Sequence, residues 1–234
     1  MTQDEQKKAA AEYAMKVVEN DVRVGLGSGS TANYFIKATA EKVKREKLNT
    51  VFVASSNASD VLAKSLGLNV KTLEEVPVLD FYFDGADEID AQFRMIKGGG
   101  GAQHREKILA SSSRFVVCIA DETKLVKQLG AFPLPIEVSR FGVNATTLKI
   151  ERTLAKLGYT GVQYRIRAEA DGTPFVTDSG NPIIDWKLGK ITDSERLDAE
   201  LNAIPGLIES GLFIGICGVL ILGTAKGVEE ITRP

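Results

Sequence analysis

Short apolar segments alternate with segments of helical periodicity through the first half of the chain, and this alternation constrains the fold more than any other feature. Helix-like stretches separate the apolar segments, and Thr2 with Glu5 can open the first helix as a capping box. Strands that alternate with helices predict a mostly parallel sheet covered on both faces. The expected buried strands are residues 22–26, 50–54, 78–84 and 114–120.

The pattern changes after the Pro-Leu-Pro segment at residues 133–135. From there the order of predicted elements is β-α-β-β-α-β, which is the split βαβ pattern. The apolar run at residues 213–222 is expected to return to the first sheet. We therefore predict a doubly wound, mostly parallel α/β domain formed by residues 1–133 and 209–234. A smaller, ferredoxin-like α+β domain is inserted at residues 134–208.

Composition excludes several classes of protein. The net charge of the 234 residues is -2, whereas a protein that binds duplex nucleic acid usually carries a strong basic excess. The N-terminal segment has no apolar signal region, and the longest apolar stretch is too short and glycine-rich to span a bilayer. Cys118 and Cys217 lie in apolar runs, which favours buried, reduced thiols. We expect a cytoplasmic protein with no nucleic-acid or membrane partner.

The segment GLGSGSTA at residues 25–32 joins a predicted strand to a predicted helix. Glycines allow close approach of a ligand, the helix N-terminus attracts anions, and Ser28, Ser30 and Thr31 add hydroxyl groups. The segment has neither the lysine of a phosphate-binding P-loop nor the glycine spacing of the dinucleotide fingerprint. A phosphate site is one interpretation, and a tight turn with an N-cap is the other.

Acidic residues follow the buried strand at residues 78–84. Asp84 and Asp87 stand at its carboxyl end, where open α/β sheets bind ligands. The two carboxylates could hydrogen-bond sugar hydroxyls, relay protons or bind a divalent metal, and a solvated acidic loop is the remaining alternative. Glu88 and Asp90 are expected at the surface.

Four consecutive glycines occur at residues 98–101, and their backbone N–H groups can form an anion-binding nest. Lys97 precedes them and could place positive charge beside a developing oxyanion. Glu106 follows, and taken alone it is typical of a solvated helix residue. His104, the only histidine, has no evident metal or relay partner and is expected to be an ordinary surface or loop residue.

Two further lysines are weaker candidates. Lys124 follows the buried strand at residues 114–120 and could reach the same crevice. Lys7 in the first helix could contact a phosphate, although most lysines on such a helix are only solvated.

Taken in order, the motifs GLGSGST, SSNAS, DGADEID, KGGGGA followed by REK, and IADETK resemble the A-type ribose-5-phosphate isomerase family. The resemblance covers nearly the whole chain. It implies that Glu106 moves a proton between C1 and C2 through an enediolate, and that Asp84 and Asp87 hold the sugar and assist ring opening. It places Lys97 near the developing oxyanion.

The resemblance also implies ribose 5-phosphate and ribulose 5-phosphate as substrates, in the pentose phosphate pathway. It implies activity without a metal or other cofactor, and a homo-oligomer, most simply a dimer. The candidate substrate-binding residues are Ser28, Gly29, Ser30, Thr31, Asp84, Gly85, Ala86, Asp87, Lys97, Gly98, Gly99, Gly100 and Lys124, with Lys7 as a further candidate from the first helix.

Three alternatives belong to other functional classes. A non-catalytic sugar-phosphate-binding module would leave Glu106 unexplained. A nicotinamide-dependent dehydrogenase is disfavoured by the incomplete dinucleotide fingerprint. An acyl-transfer enzyme of the CoA-transferase type would share the architecture and a glutamate, but the DGADEID and KGGGGA pair favours the isomerase.

Overall fold

The computed structural model describes residues 1–233. No helix in this range is both long and apolar enough to cross a membrane. The α-helices are α1 (Gln3–Ala14), α2 (Ser30–Glu46), α3 (Asn57–Ser65), α4 (Gln103–Ser111), α5 (Val143–Lys156) and α6 (Ser194–Asn202). The strands are β1 (Arg23–Leu26), β2 (Val51–Ala54), β3 (Val70–Lys71), β4 (Leu79–Asp84), β5 (Glu88–Asp90), β6 (Met95–Ile96), β7 (Ser113–Asp121), β8 (Leu125–Val126), β9 (Leu134–Val138), β10 (Gln163–Ile166), β11 (Ile183–Lys187), β12 (Leu207–Ser210), β13 (Leu212–Phe213), β14 (Val219–Thr224) and β15 (Gly227–Thr232).

The largest sheet has the strand order β15-β14-β7-β4-β1-β2-β3 and is parallel except for the edge strand β15. From β1 the chain builds outward through β2 and β3, and it then returns to add β4, β7 and β14 on the other side. The order of the strands therefore reverses between β1 and β4. Ligands of doubly wound folds bind at this point, beyond the carboxyl ends of the strands.

Apolar side chains cover both faces of this sheet, as a parallel sheet requires. On one face, α1 and α2 pack over β1, β4, β7 and β14; on the other, α4 packs with apolar residues that follow β5. The capping box predicted at the start of α1 is present, with Glu5 N donating to Thr2 Oγ1 and Thr2 N donating to the Glu5 carboxylate. Cys118 and Cys217 are buried and unbridged, as expected.

The second sheet has the order β10-β11-β9-β12 and is antiparallel throughout. With α5 and α6 it forms the predicted β-α-β-β-α-β unit, around a core that includes Trp186. The α/β class with a smaller split βαβ unit is therefore confirmed. Strand β12 continues to Ser210, two residues beyond the boundary placed at residue 208, so the exact division into domains stays a prediction.

A third sheet, with the order β13-β6-β5-β8, has no counterpart in the sequence prediction. Its strands are only two or three residues long, below the length at which sequence periodicity is informative. The chain passes from the second sheet to the third between β12 and β13. Gly211 stands at the division, where its N–H donates to Pro135 and its carbonyl accepts from Lys97 N.

The expectation that Glu88 and Asp90 are surface residues is wrong, because both are buried in β5. The Glu88 carboxylate accepts hydrogen bonds from the backbone N–H groups of Gly130 and Phe132, both at 2.6 Å. Asp90 accepts from the Arg94 backbone at 3.0 Å and from its guanidinium at 2.7 Å. Such donors make burial of a carboxylate tolerable.

Gly223 in β14 permits close packing of α1 on the large sheet. A Cβ at this position would lie 2.1 Å from the Gln6 carbonyl oxygen. We expect Gly223→Ala to lower the free energy of unfolding by about 1–3 kcal/mol, because overpacking forces the backbone to move. Gly218→Ala is the matched control, because its nearest contact would be an ordinary 3.8 Å. Equal urea midpoints for the two variants would contradict this explanation.

Candidate active site

A cleft lies beyond the carboxyl ends of β1 and β4, where the strand order of the large sheet reverses. The turn after β1, the acidic turn after β4 and the glycine run before α4 form its walls. The residues that line the cleft are Lys7, Ser28, Gly29, Ser30, Thr31, Gly85, Ala86, Asp87, Lys97, Gly98, Gly99, Gly100, Glu106 and Lys124. Every predicted site residue therefore lines the cleft except Asp84, which is buried behind the wall and contacts Lys97.

The turn after β1 ends at the N-terminus of α2. Gly29 has φ +94° and is the N-cap, and no side chain caps the free N–H groups of the first turn. Those N–H groups and the helix dipole therefore remain available to an anion. The Ser28 hydroxyl is anchored 2.9 Å from Ser55 Oγ and 2.8 Å from Ser56 Oγ, which fixes the base of the turn.

Two lysines flank this turn. Lys7 reaches it from α1, with Nζ 3.3 Å from Ser30 Oγ, and Lys124 lines the cleft from the turn that follows β7. Together with the free N–H groups of α2 they make this end of the cleft positive, as a phosphate group requires.

Asp84, the last residue of β4, is buried and accepts four hydrogen bonds. Its Oδ1 accepts from the N–H groups of Ser28 and Gly85, at 3.0 and 2.8 Å. Its Oδ2 accepts from the Tyr82 hydroxyl at 2.5 Å and from Lys97 Nζ at 2.7 Å. This carboxylate joins the two turns and the lysine, and direct contact between Asp84 and a ligand stays a prediction.

Lys97 and Glu106 are the ionisable groups at the floor of the cleft. Lys97 Nζ lies 3.2 Å from Glu106 Oε2, and it also donates to the Gly85 carbonyl at 2.6 Å. The side chains of Lys97, Glu106 and Asp84 are each no more than 5% exposed. Glu106 is therefore not the solvated helix residue that its position alone suggests.

Burial sets the protonation behaviour of this group. Desolvation raises the pKa of Glu106 to about 8, with the nearby Asp84 carboxylate acting in the same direction and Lys97 opposing both. Burial by itself lowers the pKa of Lys97, but the Asp84 and Glu106 carboxylates outweigh it and raise the pKa above its ordinary value. Burial, followed by the Asp84 charge, raises the pKa of Tyr82, so its hydroxyl remains a donor.

The opposite wall of the cleft is the glycine run. Gly101 N donates to the Gly98 carbonyl at 2.9 Å, which closes a turn, and Gly99 N donates to Asp87 Oδ2 at 2.8 Å. The Asp87 carboxylate is thereby held at the cleft, as expected of a group that contacts a ligand.

The alternative of a metal site receives no geometric support. Within residues 1–233, no group of three or more His, Cys, Asp or Glu side chains is arranged to hold a metal ion. Asp84 already accepts four hydrogen bonds. His104 lies on α4, is 29% exposed and has Nδ1 3.3 Å from Ser179 Oγ, which agrees with the ordinary role expected of it.

Sequence reasoning did not select Tyr82 or Gly27. Tyr82 precedes Asp84 by two residues on β4, so strand periodicity places both side chains on one face and could have found it. A Cβ on Gly27 would lie 2.1 Å from the Asp84 carboxylate, a packing reason for glycine that only the assembled fold reveals.

The fold is that of an α/β protein, and the positive end of its cleft suits a small anionic ligand. The sequence pattern of ribose 5-phosphate isomerase A (phosphoriboisomerase A) matches residues 51–227. The chain is 48% identical over 227 residues to ribose-5-phosphate isomerase A of Methylorubrum extorquens, covering 97% of this chain and 95% of that protein.

Solved structures agree. Ribose 5-phosphate isomerase A from Neisseria gonorrhoeae superposes with a TM-score of 0.88 at 40% identity, covering 100% of this chain and 98% of that one. A D-ribose-5-phosphate isomerase in complex with phospho-erythronic acid gives a TM-score of 0.92 at 37% identity, with both chains fully covered. The chain belongs to the ribose 5-phosphate isomerase A family and is an isomerase of sugar phosphate metabolism.

The raised pKa of Glu106 predicts how stability depends on pH. Between about pH 4.5 and about pH 8 the folded chain retains a proton that the unfolded chain releases, so the free energy of unfolding falls as pH rises through this range. Glu106→Gln removes this loss. We expect the free energy of unfolding of the variant, measured relative to that of wild type, to be higher at about pH 9 than at about pH 5.

Urea unfolding at both pH values measures this gain. Glu41→Gln replaces an exposed helical carboxylate and is the control, whose difference from wild type should not change in the same way. A pH-independent difference between Glu106→Gln and wild type would contradict the assignment.

Proposed function

We propose that this chain interconverts D-ribose 5-phosphate and D-ribulose 5-phosphate through an enediolate, with Glu106 as the base. The observation that carries the proposal is the buried Glu106 carboxylate beside Lys97, in a cleft whose other end is an uncapped helix N-terminus. One end suits a phosphate group, and the other suits removal of a carbon-bound proton.

The phosphate group binds at the turn formed by residues 28–31. The N–H groups at the start of α2 and the hydroxyls of Ser30 and Thr31 donate to its oxygens, while Lys7 and Lys124 balance its charge. This contact places C1 and C2 of the open-chain sugar toward the floor of the cleft.

Glu106 transfers the proton. It removes the proton from C2, the C2–H electrons form the C1–C2 double bond, and the C1 carbonyl oxygen becomes an oxyanion. The same carboxylate returns the proton to C1, while the hydroxyl proton on the C2 oxygen moves to the C1 oxygen. A base works best with a pKa near the operating pH, and a pKa of about 8 meets this condition.

Lys97 stabilises the oxyanion, since its ammonium group is buried, already oriented and surrounded by carboxylates that keep it protonated. Asp84 acts through Lys97, and Asp87 contacts the sugar hydroxyls and assists ring opening. Because Lys97 supplies the positive charge, the reaction as proposed proceeds without a metal.

We also propose that the chain works in the cytoplasm as a homodimer, in the pentose phosphate pathway, as its family membership implies. A binding module without activity would give no role to the buried Glu106 carboxyl group beside Lys97. The isomerase is therefore the better account.

Replacement of Glu106 by Gln tests the proposal. Gln preserves shape but cannot accept a proton, and general-base catalysis contributes about 10²–10⁴-fold, so we expect kcat to fall by at least about 10². The measurement is conversion of ribose 5-phosphate, with circular dichroism to verify folding and Glu41→Gln as the control. A folded Glu106→Gln variant that keeps more than about a tenth of wild-type kcat would exclude Glu106 as the base.

Thr31→Ala tests the phosphate site separately. Thr31 is the second residue of α2 and is nearly buried beside Gly85. A hydrogen bond to a charged group contributes about 1.5–3 kcal/mol, so we expect KM to rise roughly ten- to hundredfold with kcat little changed. Thr153→Ala, in α5 away from the cleft, is the control. Unchanged KM with a collapsed kcat would move Thr31 from phosphate binding to the chemistry.

A further inference from the structure

Arg167 connects the second sheet to the glycine run of the cleft. Its Nη1 donates to the carbonyl oxygens of Gly98 at 2.8 Å and Gly99 at 3.2 Å. The rest of the guanidinium is held by Asp185 of β11, through Nη2–Oδ1 at 2.5 Å and Nε–Oδ2 at 3.1 Å. Both side chains are largely buried, Arg167 being 11% exposed and Asp185 6%.

The two carbonyl groups do not depend on Arg167 equally. Gly98 O also accepts from Gly101 N, which closes the turn without help. Within residues 1–233, Gly99 O has no donor other than Arg167, and Gly100 N donates no hydrogen bond. The orientation of the peptide unit between Gly99 and Gly100 therefore depends on this one guanidinium.

That orientation determines what the cleft presents to a ligand. In a trans peptide unit the C=O and N–H bonds point in opposite directions, and all the described peptide bonds are trans. With Gly99 O held toward Arg167, the N–H of Gly100 points away from Arg167, and Gly100 itself lines the cleft. Glycines on both sides make a flip of this peptide inexpensive once Arg167 is removed.

We propose that Arg167 is a positioning residue for the isomerisation. Anchored by Asp185, it fixes the peptide unit between Gly99 and Gly100 so that Gly100 N–H donates to the enediolate oxygen opposite Lys97. The inference rests on the proposed function, since it assigns a second donor to the same oxyanion. In this proposal Arg167 does not contact the substrate, but its loss lowers kcat.

Arg167→Met is the test, with Arg165→Met as the matched control. Arg165 lies two residues away, is 76% exposed and contacts Asp185 only at 3.6 Å. Removing an oxyanion donor costs about 10²–10³ in kcat, and a loosened donor should cost at least roughly tenfold. We expect kcat of Arg167→Met to fall by at least about tenfold with KM within roughly threefold of wild type, and Arg165→Met to match wild type.

Binding separates positioning from general structural damage. The carboxylate of phospho-erythronic acid resembles an enediolate, whereas inorganic phosphate reports only on the turn at residues 28–31. By calorimetry, Arg167→Met should bind phospho-erythronic acid at least about tenfold more weakly and inorganic phosphate within roughly threefold of wild type. Equal weakening of both ligands, or unchanged kcat and unchanged binding of phospho-erythronic acid, would overturn the proposal.

Arg167→Lys keeps the charge opposite Asp185 and serves if Arg167→Met does not fold by circular dichroism. A lysine ammonium cannot reproduce the two-sided fork of the guanidinium, so the same pattern is expected with a smaller loss. A folded Arg167→Lys with wild-type kcat and wild-type affinity for phospho-erythronic acid would also overturn the proposal. Failure of wild type and Arg165→Met to convert ribose 5-phosphate would instead refute the proposed function.

Discussion

The buried ion pair between Lys97 and Asp84 is the interaction on which the rest of the site depends. Desolvating two charges is costly, and the cost is offset only when geometry is good and the remaining donors and acceptors are satisfied. Asp84 meets this condition with donors from both turns and from Tyr82. The shapes of the turns after β1 and β4 are therefore tied to one carboxylate, and Gly27 is glycine because any side chain there would displace it.

Glu106 adds a second carboxylate to this pair, so the floor of the cleft holds two acids and one ammonium group. One positive charge cannot fully stabilise both carboxylates in a buried place, and the less hydrogen-bonded one takes the raised pKa. Asp84 accepts four hydrogen bonds, whereas among residues 1–233 the Glu106 carboxyl group has only the contact of its Oε2 with Lys97. The same imbalance that makes Glu106 costly to ionise in the fold makes it suitable as a base near neutral pH.

Sequence patterns predicted the helices and strands that have a regular hydrophobic period, and the polar residues that stand at the ends of strands. Alternating strands and helices gave the doubly wound sheet, and polar residues after β1 and β4 gave the cleft, because parallel strands bring their carboxyl ends to one edge. Patterns could not predict which acids are buried. Glu88 is satisfied by N–H groups more than forty positions away, at Gly130 and Phe132, and Glu106 is buried by tertiary packing that its helix does not reveal.

The glycine run illustrates why such residues resist interpretation from sequence alone. A Cβ on Gly99 would lie 2.6 Å from the Asp87 carboxylate, and one on Gly101 would lie 2.4 Å from the Phe175 ring. A Cβ on Gly98, which has φ +107°, would clash with Gln103 in the same way, whereas a Cβ on Gly100 would meet open space. Three of the four glycines are thus required by packing. Gly98 packs against Gln103 of α4, and Gly101 packs against Phe175, which lies between β10 and β11. Gly98, Gly99 and Gly100 all line the cleft, but the N–H groups of Gly99 and Gly101 already donate to Asp87 and to the Gly98 carbonyl, so only part of the nest expected of four equivalent glycines remains open to a ligand.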